Sequence, residues 1–360
     1  MSNRRIQNRK RKSGLLSRKR FTGCLLSFIA VFAVFALNSC SNPQQTAQTT
    51  QTNGATNSAQ VSKPAVIKLD YAYYNPVSLV IKEKGWLEED LSKDNVKVEW
   101  VLSQGSNKAL EFLNGSSIDF GSTAGAAALI GKANGNPIKS IYVYSKPEWA
   151  TLVVGANSSI TSVPELKGKK IAATRGTDPF IFLLRTLDKF GLSDKDVEIV
   201  PLQHADGRAA LEKGDVDAWA GLDPITARSE IEQGSKLLYR NTSFNSYGVL
   251  NVREAFAKQY PDYVVRVLNV YEKGRDWALK NPAEFKEILI KASKLTEPVT
   301  ARQLERTDLS NSKIGDEQKT VILAAGDVLK KSGVIKADTD VQKVVDDLID
   351  PQYSAKLAAK

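Results

Sequence analysis

The chain has 360 residues, of which 42% are apolar and 25% are charged, as in a globular protein with a large core. Its net charge of +10 comes from residues 1–40, which contain nine Lys and Arg residues and no Asp or Glu. The remainder carries 41 basic and 40 acidic residues, so it has no basic excess with which to build a nucleic-acid-binding face. A chain of this length is expected to form about two domains.

The N-terminus predicts an export signal. Residues 4–20 are basic, the run Phe21–Leu37 is apolar, and Asn38, Ser39 and Cys40 follow. A basic segment, a hydrophobic core and a small-residue boundary are typical of bacterial signal peptides, and the boundary resembles a lipobox, in which Cys40 is lipidated. We therefore expect residues 1–40 to be a lipoprotein signal peptide. An uncleaved membrane anchor and soluble secretion are the alternatives.

The segment after Cys40 differs in composition from the rest of the chain. Residues 41–63 are rich in Gln, Thr, Asn and Ser and show no periodicity. Such a segment cannot bury enough apolar surface to fold, so we expect a disordered tether. Cys24 and Cys40 are the only cysteines, and the body beyond the tether is therefore expected to contain neither a disulfide nor a thiolate metal site.

Strands alternate with helices in the first part of the body. The apolar pattern predicts strands at Val66–Tyr71, Val96–Leu102, Ile118–Phe120 and Ile138–Tyr144, and helices at Val77–Lys84, Asn107–Leu113 and after Gly125. This order predicts a mainly parallel α/β sheet, whose ligands bind beyond the carboxyl ends of the strands. The predicted loops at residues 73–76, 104–106 and 122–125 lie at that end.

The second part of the body repeats this alternation, and the last part is almost entirely helical. Strands are predicted at Leu152–Gly155, Ile171–Thr174, Val197–Leu202, Val216–Ala220, Leu237–Arg240 and Tyr247–Val252, with helices at Asp178–Gly191, Gly207–Lys213 and Pro224–Gln233. Beyond Val252 the helical periodicity predicts Arg253–Tyr260, Pro261–Lys280, Asn281–Leu295, Glu317–Ser332 and Thr339–Ile349.

The turn before the helix at Asp178 is the strongest candidate for a binding site. Asp178 and Pro179 are a helix-start signal, with the aspartate as N-cap. The turn aims backbone N–H groups and the positive end of the helix dipole at one spot, and Arg175 adds a cation there. This arrangement predicts an anion site. The alternative is an ordinary capped helix, in which Asp178 fills the position and Arg175 is solvated.

Other candidate residues give weaker signals. His204 is the only histidine, has no neighbours at metal-ligand spacing, and is interpreted as a structural or loop residue. Asp223 could meet a ligand amine or cap a helix before Pro224. Tyr74 and Trp149 could line a pocket or pack in the core. Because no nucleophile and base set or nucleotide-binding motif is present, we expect no enzymatic activity and no cofactor or metal.

Three segments resemble the aliphatic sulfonate-binding proteins of ABC importers. They are VKVEWVLSQGSNKALEFLNGSSIDFGST, LKGKKIAATRGTDPFIFLLRTLDKFGL and ADGRAALEKGDVDAWAGLDPITA. The resemblance covers roughly residues 66–335 and implies a two-lobed periplasmic-binding-protein fold of type II. The ligand would lie between the lobes, and the C-terminal helices would pack on lobe 1. The chain has Arg175-Gly176-Thr177-Asp178 where the family often has Lys-Gly-Ser-Asn, and Leu222 precedes Asp223 where it often has Trp.

The resemblance implies lobe 1 at residues 64–146, lobe 2 at 147–247 and a return to lobe 1 at 248–360, with hinges near Tyr144–Pro147 and Tyr247–Asn251. It implies capture of an alkanesulfonate-like anion and its delivery to an ABC permease and ATPase, by a monomer lipid-anchored on the periplasmic side of the plasma membrane. Taurine, nitrate or a thiamine-precursor heterocycle are the alternative ligands. The expected ligand contacts are Tyr74, Asn75, Gln104, Ser122, Thr123, Trp149, Arg175, Gly176, Thr177 and Asp223.

Overall fold

The computed structural model describes residues 63–357, so the predicted signal peptide, the lipidation residue Cys40 and all of the tether except Lys63 lie outside the described residues. Within residues 63–357, no helix combines the length and the apolar character that a membrane span requires. The described residues form strands and helices that alternate along most of the chain, as the sequence predicts.

Eleven strands occur in the described part of the chain. They are β1 (Val66–Tyr71), β2 (Lys97–Leu102), β3 (Phe120–Ala124), β4 (Ile138–Pro147), β5 (Ala150–Val154), β6 (Lys170–Ala172), β7 (Glu198–Val200), β8 (Ala218–Leu222), β9 (Lys236–Tyr239), β10 (Gly248–Arg253) and β11 (Thr307–Asp308).

These strands form two sheets. The first has the order β11-β4-β10-β3-β1-β2 and the second has the order β7-β6-β8-β5-β9. β1 runs parallel to β2 and β3, whereas β10 runs antiparallel to β3 and β4. In the second sheet β6 is parallel to β7 and β8, and β5 is antiparallel to β8 and β9. The predicted α/β class is confirmed, but both sheets are mixed rather than mainly parallel.

Fourteen α-helices surround the sheets within residues 63–357. They are α1 (Pro76–Lys84), α2 (Trp86–Ser92), α3 (Ser106–Asn114), α4 (Gly125–Ala133), α5 (Asp178–Lys189), α6 (His204–Lys213), α7 (Ile225–Gln233), α8 (Glu254–Gln259), α9 (Pro261–Lys280), α10 (Pro282–Ser293), α11 (Glu297–Glu305), α12 (Asp316–Leu323), α13 (Gly326–Lys331) and α14 (Val341–Leu348).

The strands at the centre of each sheet are buried on both faces. Every residue of β3, β5 and β8 is buried, which is what a sheet covered by helices on both sides requires. The helices after β10 reach both sheets: α12 and α14 pack on α4 beside the first sheet, while α11 contacts α7 and α13 contacts α5 beside the second. The C-terminal helices therefore pack on the unit around the first sheet, as expected, and also touch the unit around the second.

Two short segments connect the sheets. The chain leaves the first sheet after Pro147 and enters the second at Ala150, and it returns through residues 240–247 to Gly248. The predicted hinge regions therefore coincide with the end of β4 and with β10, and the connections themselves are residues 148–149 and 240–247.

The predicted loop at residues 122–125 is wrong. Ser122 and Thr123 lie inside β3, because that strand pairs along its length with β10, which places Leu250 opposite Ser122 and Val249 opposite Thr123. Small polar residues usually mark a loop, but here antiparallel pairing with a distant segment extends the strand. Similarly, α6 starts at His204 rather than at Gly207, so the histidine belongs to the first turn of a helix.

Candidate functional site

Three helix starts meet at one place between the two sheets, which we call the seam and define by Gly105, Asn107, Gly176 and His204. A Cβ atom added to Gly176 would lie 3.6 Å from Asn107 Cβ, and one added to Gly105 would lie 3.1 Å from His204 Nε2. The start of α3, which follows the first sheet's β2, therefore contacts the starts of α5 and α6, which follow β6 and β7 of the second sheet.

The electrostatics of the seam favour an anion. The first N–H groups of a helix have no carbonyl partner within that helix, and its N-terminus carries a partial positive charge. Three such ends face the seam, and Arg175 lies in the turn before α5. Its side chain is exposed, with Cζ 5.3 Å from the centre of the Phe180 ring. Backbone N–H groups and a guanidinium offer donors, which is what an anion that only accepts hydrogen bonds requires.

Gly176 is required by the shape of the turn. Its φ is +75°, in the left-handed region that glycine adopts without steric cost. The turn ends at Thr177, which is the N-cap residue of α5 and whose hydroxyl donates to the carbonyl of Thr174 at 2.6 Å. The Thr177 side chain therefore braces the turn, while Arg175 and Gly176 are the turn residues that remain accessible.

Asp178 is the first residue of α5 and is not its N-cap, which corrects the sequence interpretation. Its buried carboxylate accepts hydrogen bonds from Trp149 Nε1 at 2.7 Å and from the Ser246 amide and hydroxyl at 3.0 and 2.7 Å. Trp149 and Ser246 lie in the two segments that connect the sheets. Burial raises the pKa of Asp178, and these donors oppose that shift. The carboxylate thus ties α5 to both connections, and its hydrogen bonds are made to those connections.

The same network reaches the start of α4. Ser246 Oγ, which donates to Asp178, accepts from the Ala126 amide at 3.1 Å, and the Gly125 amide donates to the Tyr247 carbonyl at 2.8 Å. The start of α4 is therefore already paired with the second connection. This separates it from α3, α5 and α6, whose starts face the seam.

His204 lies at the seam with one ring nitrogen free. Its side chain is 1% exposed. Nδ1 is 3.2 Å from Thr174 Oγ1, whose own proton is donated to the Leu202 carbonyl at 2.8 Å. Nε2 is buried and has no hydrogen-bond partner among the residues described. Burial lowers the pKa of His204 to about 3, so the ring is neutral at pH 7. Of the two interpretations of His204, the loop residue is wrong, because His204 begins α6, whereas its burial and its contact with Thr174 agree with a structural residue.

Four of the residues predicted as ligand contacts form buried contacts inside the body of the first sheet. Ser122 Oγ donates to Asp70 Oδ1 and accepts from Asn75 Nδ2, both at 2.8 Å, and Tyr74 donates to the Ser122 carbonyl at 2.9 Å. Thr123 Oγ1 accepts from Asn251 at 2.8 Å. The hydroxyl of Ser122 thus has a partner on each side within the protein.

Asp223 and Trp149 also have structural partners. Asp223 Oδ1 accepts from the Ala227 amide at 2.9 Å, in the first turn of α7, and both of its oxygens lie 3.3 Å from Arg306 Nη1. The N-cap residue of α7 is Pro224 and not Asp223, but the Asp223 carboxylate still binds an amide of the first turn, as the capping alternative expects. Trp149 is buried, with its ring edge-to-face against Tyr74 at a centroid distance of 6.0 Å. Of the ten predicted residues, Arg175 and Gly176 lie in the turn at the seam, and Gln104 is exposed immediately before Gly105.

The sequence did not single out Asn107; it gave Gly105 only as part of the loop 104–106, and it interpreted His204 as a structural or loop residue. The Gln-Gly-Ser and Gln-His-Ala turns before α3 and α6 were visible as helix starts, but their meeting depends on how the two sheets pack. A signal was present in the single histidine placed directly at a helix start.

The described residues also border cavities away from the seam. One of about 470 Å³ lies between the loop after β5 and the ends of α6 and α7, and is lined by Ser158, Lys213 and Gln233 among others. Carbonyl groups at helix C-termini carry partial negative charge, so this cavity is less suited to an anion than the seam. No cluster of His, Cys, Asp and Glu that could hold a metal occurs in residues 63–357.

Comparisons with known proteins identify the family of this chain. The profile of the family described as NMT1/THI5 like matches residues 77–285. A Bacillus subtilis (strain 168) protein, whose name describes it as a candidate aliphatic sulfonates-binding protein, is 31% identical over 271 residues, covering 74% of this chain and 82% of its own. An Escherichia coli (strain K12) protein of the same name is 29% identical over 249 residues, covering 69% and 77%.

The fold is also similar to that of a solved sulfonate-binding protein. The alkanesulfonate-binding protein of Xanthomonas axonopodis pv. citri, solved with MOPS bound, superposes with a TM-score of 0.73 at 24% identity and covers 79% of this chain and 98% of its own. The resemblance to sulfonate-binding proteins and the predicted periplasmic-binding-protein fold are thereby confirmed. The extent of the family match and the identity to the Bacillus subtilis protein show that the chain belongs to the NMT1/THI5-like family.

Proposed function

We propose that this protein is the substrate-binding subunit of an ABC importer for aliphatic sulfonates, and that it captures the anion at the seam. The observation that carries the proposal is the meeting of three helix starts from opposite sheets, with Arg175 beside them. A sulfonate remains ionised at physiological pH and only accepts hydrogen bonds. It therefore matches a site built from free backbone N–H groups and one guanidinium.

The proposed capture depends on two lobes that close on the ligand. We assign residues 64–146 and 248–360 to lobe 1 and residues 147–247 to lobe 2. The contacts of Asn107 with Gly176 and of Gly105 with His204 then join the lobes, so that a ligand at the seam would bind residues of both. A ligand that contacts both lobes stabilises their closed arrangement, and a permease can recognise that arrangement.

The rest of the proposal concerns location and partners. We infer that the chain works on the periplasmic side of the plasma membrane as a monomer, held by a lipid on Cys40, and hands its ligand to an ABC permease and its ATPase. The support comes from the export-type N-terminus and from the relatives named as sulfonate-binding proteins. No catalytic role is proposed, because these relatives are named as binding proteins.

The proposal is tested by titrating the purified protein with ligands in a calorimeter. We expect heat and a saturable isotherm with butane-1-sulfonate, and no binding of nitrate or of an aminopyrimidine at the same concentration. Binding of the aminopyrimidine alone would show that the site takes a heterocycle. Binding of nitrate alone would show that it takes a smaller inorganic anion. Either result would contradict the assignment to sulfonates.

A further inference from the structure

The hydroxyl group of Ser246 joins a helix of the first sheet's unit to a helix of the second. It donates to Asp178 Oδ1 at 2.7 Å, at the start of α5, and accepts from the Ala126 amide at 3.1 Å, at the start of α4. α4 packs on the first sheet, α5 packs on the second, and the two helices contact each other. Because Ser246 is 3% exposed, water competes little for these bonds. One side chain therefore holds both units.

The second connection changes its attachment between Ser246 and Tyr247. The Ser246 amide donates to Asp178 Oδ2 at 3.0 Å, so this residue is attached to α5. The Tyr247 carbonyl accepts from the Gly125 amide at 2.8 Å, so the next residue is attached to α4. A rotation of one unit against the other takes place where the attachment changes. The link between Ser246 and Tyr247 is thus a pivot, and the hydrogen bond from Ala126 to Ser246 crosses it.

The first connection changes its attachment in the same way, between Glu148 and Trp149. The Glu148 amide donates to the Arg306 carbonyl at 2.8 Å, immediately before β11, which pairs with β4 of the first sheet. The Trp149 carbonyl accepts from the Asp223 amide at 3.0 Å, and its indole donates to Asp178 at 2.7 Å. Trp149 is therefore attached to the second sheet's unit. The Asp178 carboxylate binds the second unit's side of both pivots.

We propose that Ser246 is a positioning residue for ligand capture, whose hydroxyl holds the start of α5 against the start of α4. The turn of Arg175 and Gly176 directly precedes α5. The position of α5 therefore sets the distance between this turn and Asn107 across the seam. Ser246 acts on ligand affinity through α5 and without touching the ligand. This inference rests on the proposed function, because it needs the anion to bind at the seam.

The first test compares two variants that each lose a buried hydrogen bond. Ser246→Ala removes the bonds that join the units. Ser229→Ala removes the bond between Ser229 Oγ and Ser235 Oγ at 2.8 Å, which lies within the second sheet's unit. In titration calorimetry with butane-1-sulfonate, we expect about tenfold weaker binding by Ser246→Ala, because the arrangement with separated units gains population. Ser229→Ala should bind as the wild type does.

The outcomes of this titration separate the inference from the proposed function. Equal affinities of Ser246→Ala and the wild type would overturn the inference and leave the proposed function standing. Equal weakening in Ser229→Ala would also overturn the inference, because the effect would then come from lost stability. Failure of the wild type to bind would overturn the proposed function. Ser246→Thr keeps a hydroxyl and should retain most of the affinity.

Hydrogen exchange of the ligand-free protein gives a second readout, which a merely local role of Ser246 would not change. Residues 105–110 start α3 on the far side of the seam and make no printed bond to Ser246. We expect their amides to exchange faster in Ser246→Ala than in the wild type and in Ser229→Ala, because the seam opens more often. Saturating butane-1-sulfonate should slow this exchange. Identical exchange in all three proteins would overturn the inference.

Single amides of the wild type cover the case in which Ser246→Ala does not fold. The Ala126 amide is bonded to Ser246 across the pivot, whereas the Ala150 amide is bonded to Asn245 Oδ1 at 2.7 Å, on the second unit's side of both pivots. We expect butane-1-sulfonate to slow the exchange of the Ala126 amide by about tenfold and to leave that of Ala150 unchanged, because only the first is released by opening. No change at Ala126, or an equal change at both, would overturn the inference.

Discussion

Arg175 is the residue that would bring a formal charge to the proposed anion site, whose other donors are backbone groups. Its side chain is exposed and lies over Phe180 near the start of α5. The helix ends at the seam supply donors whatever the side chains are, so we expect the arginine to add affinity to the proposed site but not to be its only source of donors.

We predict that Arg175→Ala weakens the binding of butane-1-sulfonate by about 1.5–3 kcal/mol, the usual range for a hydrogen bond to a charged group. Titration calorimetry measures this directly. The matched control is Arg228→Ala, because Arg228 is an exposed arginine of the second sheet's unit that pairs with Glu232 at 2.6 Å, away from the seam. Equal affinity of the Arg175→Ala variant and the wild type would remove this residue from the site.

Asp70 is a buried carboxylate inside the first sheet's unit. It accepts from the amide and hydroxyl of Ser122, and burial raises its pKa from 3.8 to about 6. Because the folded state holds this proton more tightly than the unfolded chain, its contribution to stability is present below pH 4 and is lost as the pH rises through 6. The shift corresponds to about 3 kcal/mol.

Asp70→Asn should therefore remove a pH dependence of stability. We expect the free energy of unfolding of the wild type, relative to that of the variant, to fall by up to about 3 kcal/mol between pH 4 and pH 7. Urea unfolding at several pH values measures it. Ser122→Ala is the control, because it removes a hydrogen bond but keeps the titrating group, and its relative stability should still fall over this range. Parallel curves for Asp70→Asn and the wild type would contradict the assignment.

At the scale of elements, α5 is fixed from its first residue. The carboxylate of Asp178 receives three donors, from Trp149 in the first connection and from Ser246 in the second. At the other end of the same helix, Asp188 is exposed and pairs with Lys331 at 2.9 Å. The two aspartates differ in burial and in the number of donors they receive, which allows a matched comparison.

We predict that Asp178→Asn destabilises the protein by about 2–4 kcal/mol, because the amide nitrogen cannot accept and leaves buried donors unpaired. Asp188→Asn should cost less than about 1 kcal/mol, the usual worth of an exposed ion pair. Urea unfolding followed by tryptophan fluorescence distinguishes them. Equal losses for the two variants would show that the buried network does not hold the start of the helix.

The helices that the sequence predicted correctly are those that begin and end at local signals such as proline. The helix Pro261–Lys280 was predicted with its observed bounds, since a proline starts it and Asn281-Pro282 ends it. The predicted helix Glu317–Ser332 is divided into two helices, α12 and α13. The second begins at Gly326, which packs so closely on Val341 that an added Cβ atom would lie 2.8 Å from that residue. The helices α2 and α11 were not predicted.

The candidate site likewise has one part that the sequence predicted and one part that it could not predict. The turn of Arg175 and Gly176 was predicted, because a strand, a turn and a capped helix follow one another in the chain. Asn107 and His204 are 97 residues apart in the numbering of the sequence, and their approach depends on the packing of one sheet against the other. Ser122 was predicted to contact ligand from the resemblance and from its hydroxyl, and this stays a prediction. Its buried partner Asp70, 52 residues away in the chain, could not be foreseen from local pattern.

Across the whole molecule, a buried ion pair joins the C-terminal helices to the second sheet's unit. Arg306, directly after α11, is 7% exposed and contacts Asp223 at 3.3 Å and Glu230 at 2.6 Å. Burial raises the pKa of Asp223 to about 6, although the Arg306 charge opposes this. The positive charge of the arginine thus compensates the negative charges of Asp223 and Glu230 in the second sheet's unit.

We predict that Arg306→Ala destabilises the protein by about 3–5 kcal/mol at pH 7, because it leaves Asp223 buried without its counter-charge. The penalty should shrink at pH 5, where Asp223 can take up a proton that the unfolded chain binds less tightly. Urea unfolding at both pH values tests this. Arg228→Ala is the control, because this exposed arginine pairs with Glu232 and not with Asp223 or Glu230, and it should change stability little at either pH. An equal loss for Arg306→Ala at pH 5 and pH 7 would contradict the prediction.

The position of β10 in the middle of the first sheet has a consequence for the order in which the polypeptide acquires its structure. β10 is the strand that joins β4 to β3, and it is synthesised after all the strands of the second sheet. The second sheet has its full set of strands once Tyr239 has been synthesised. β4 cannot join β1, β2 and β3 until β10, which ends at Arg253, has also been synthesised. During synthesis or export, the half that begins the described chain is therefore the half that is completed last.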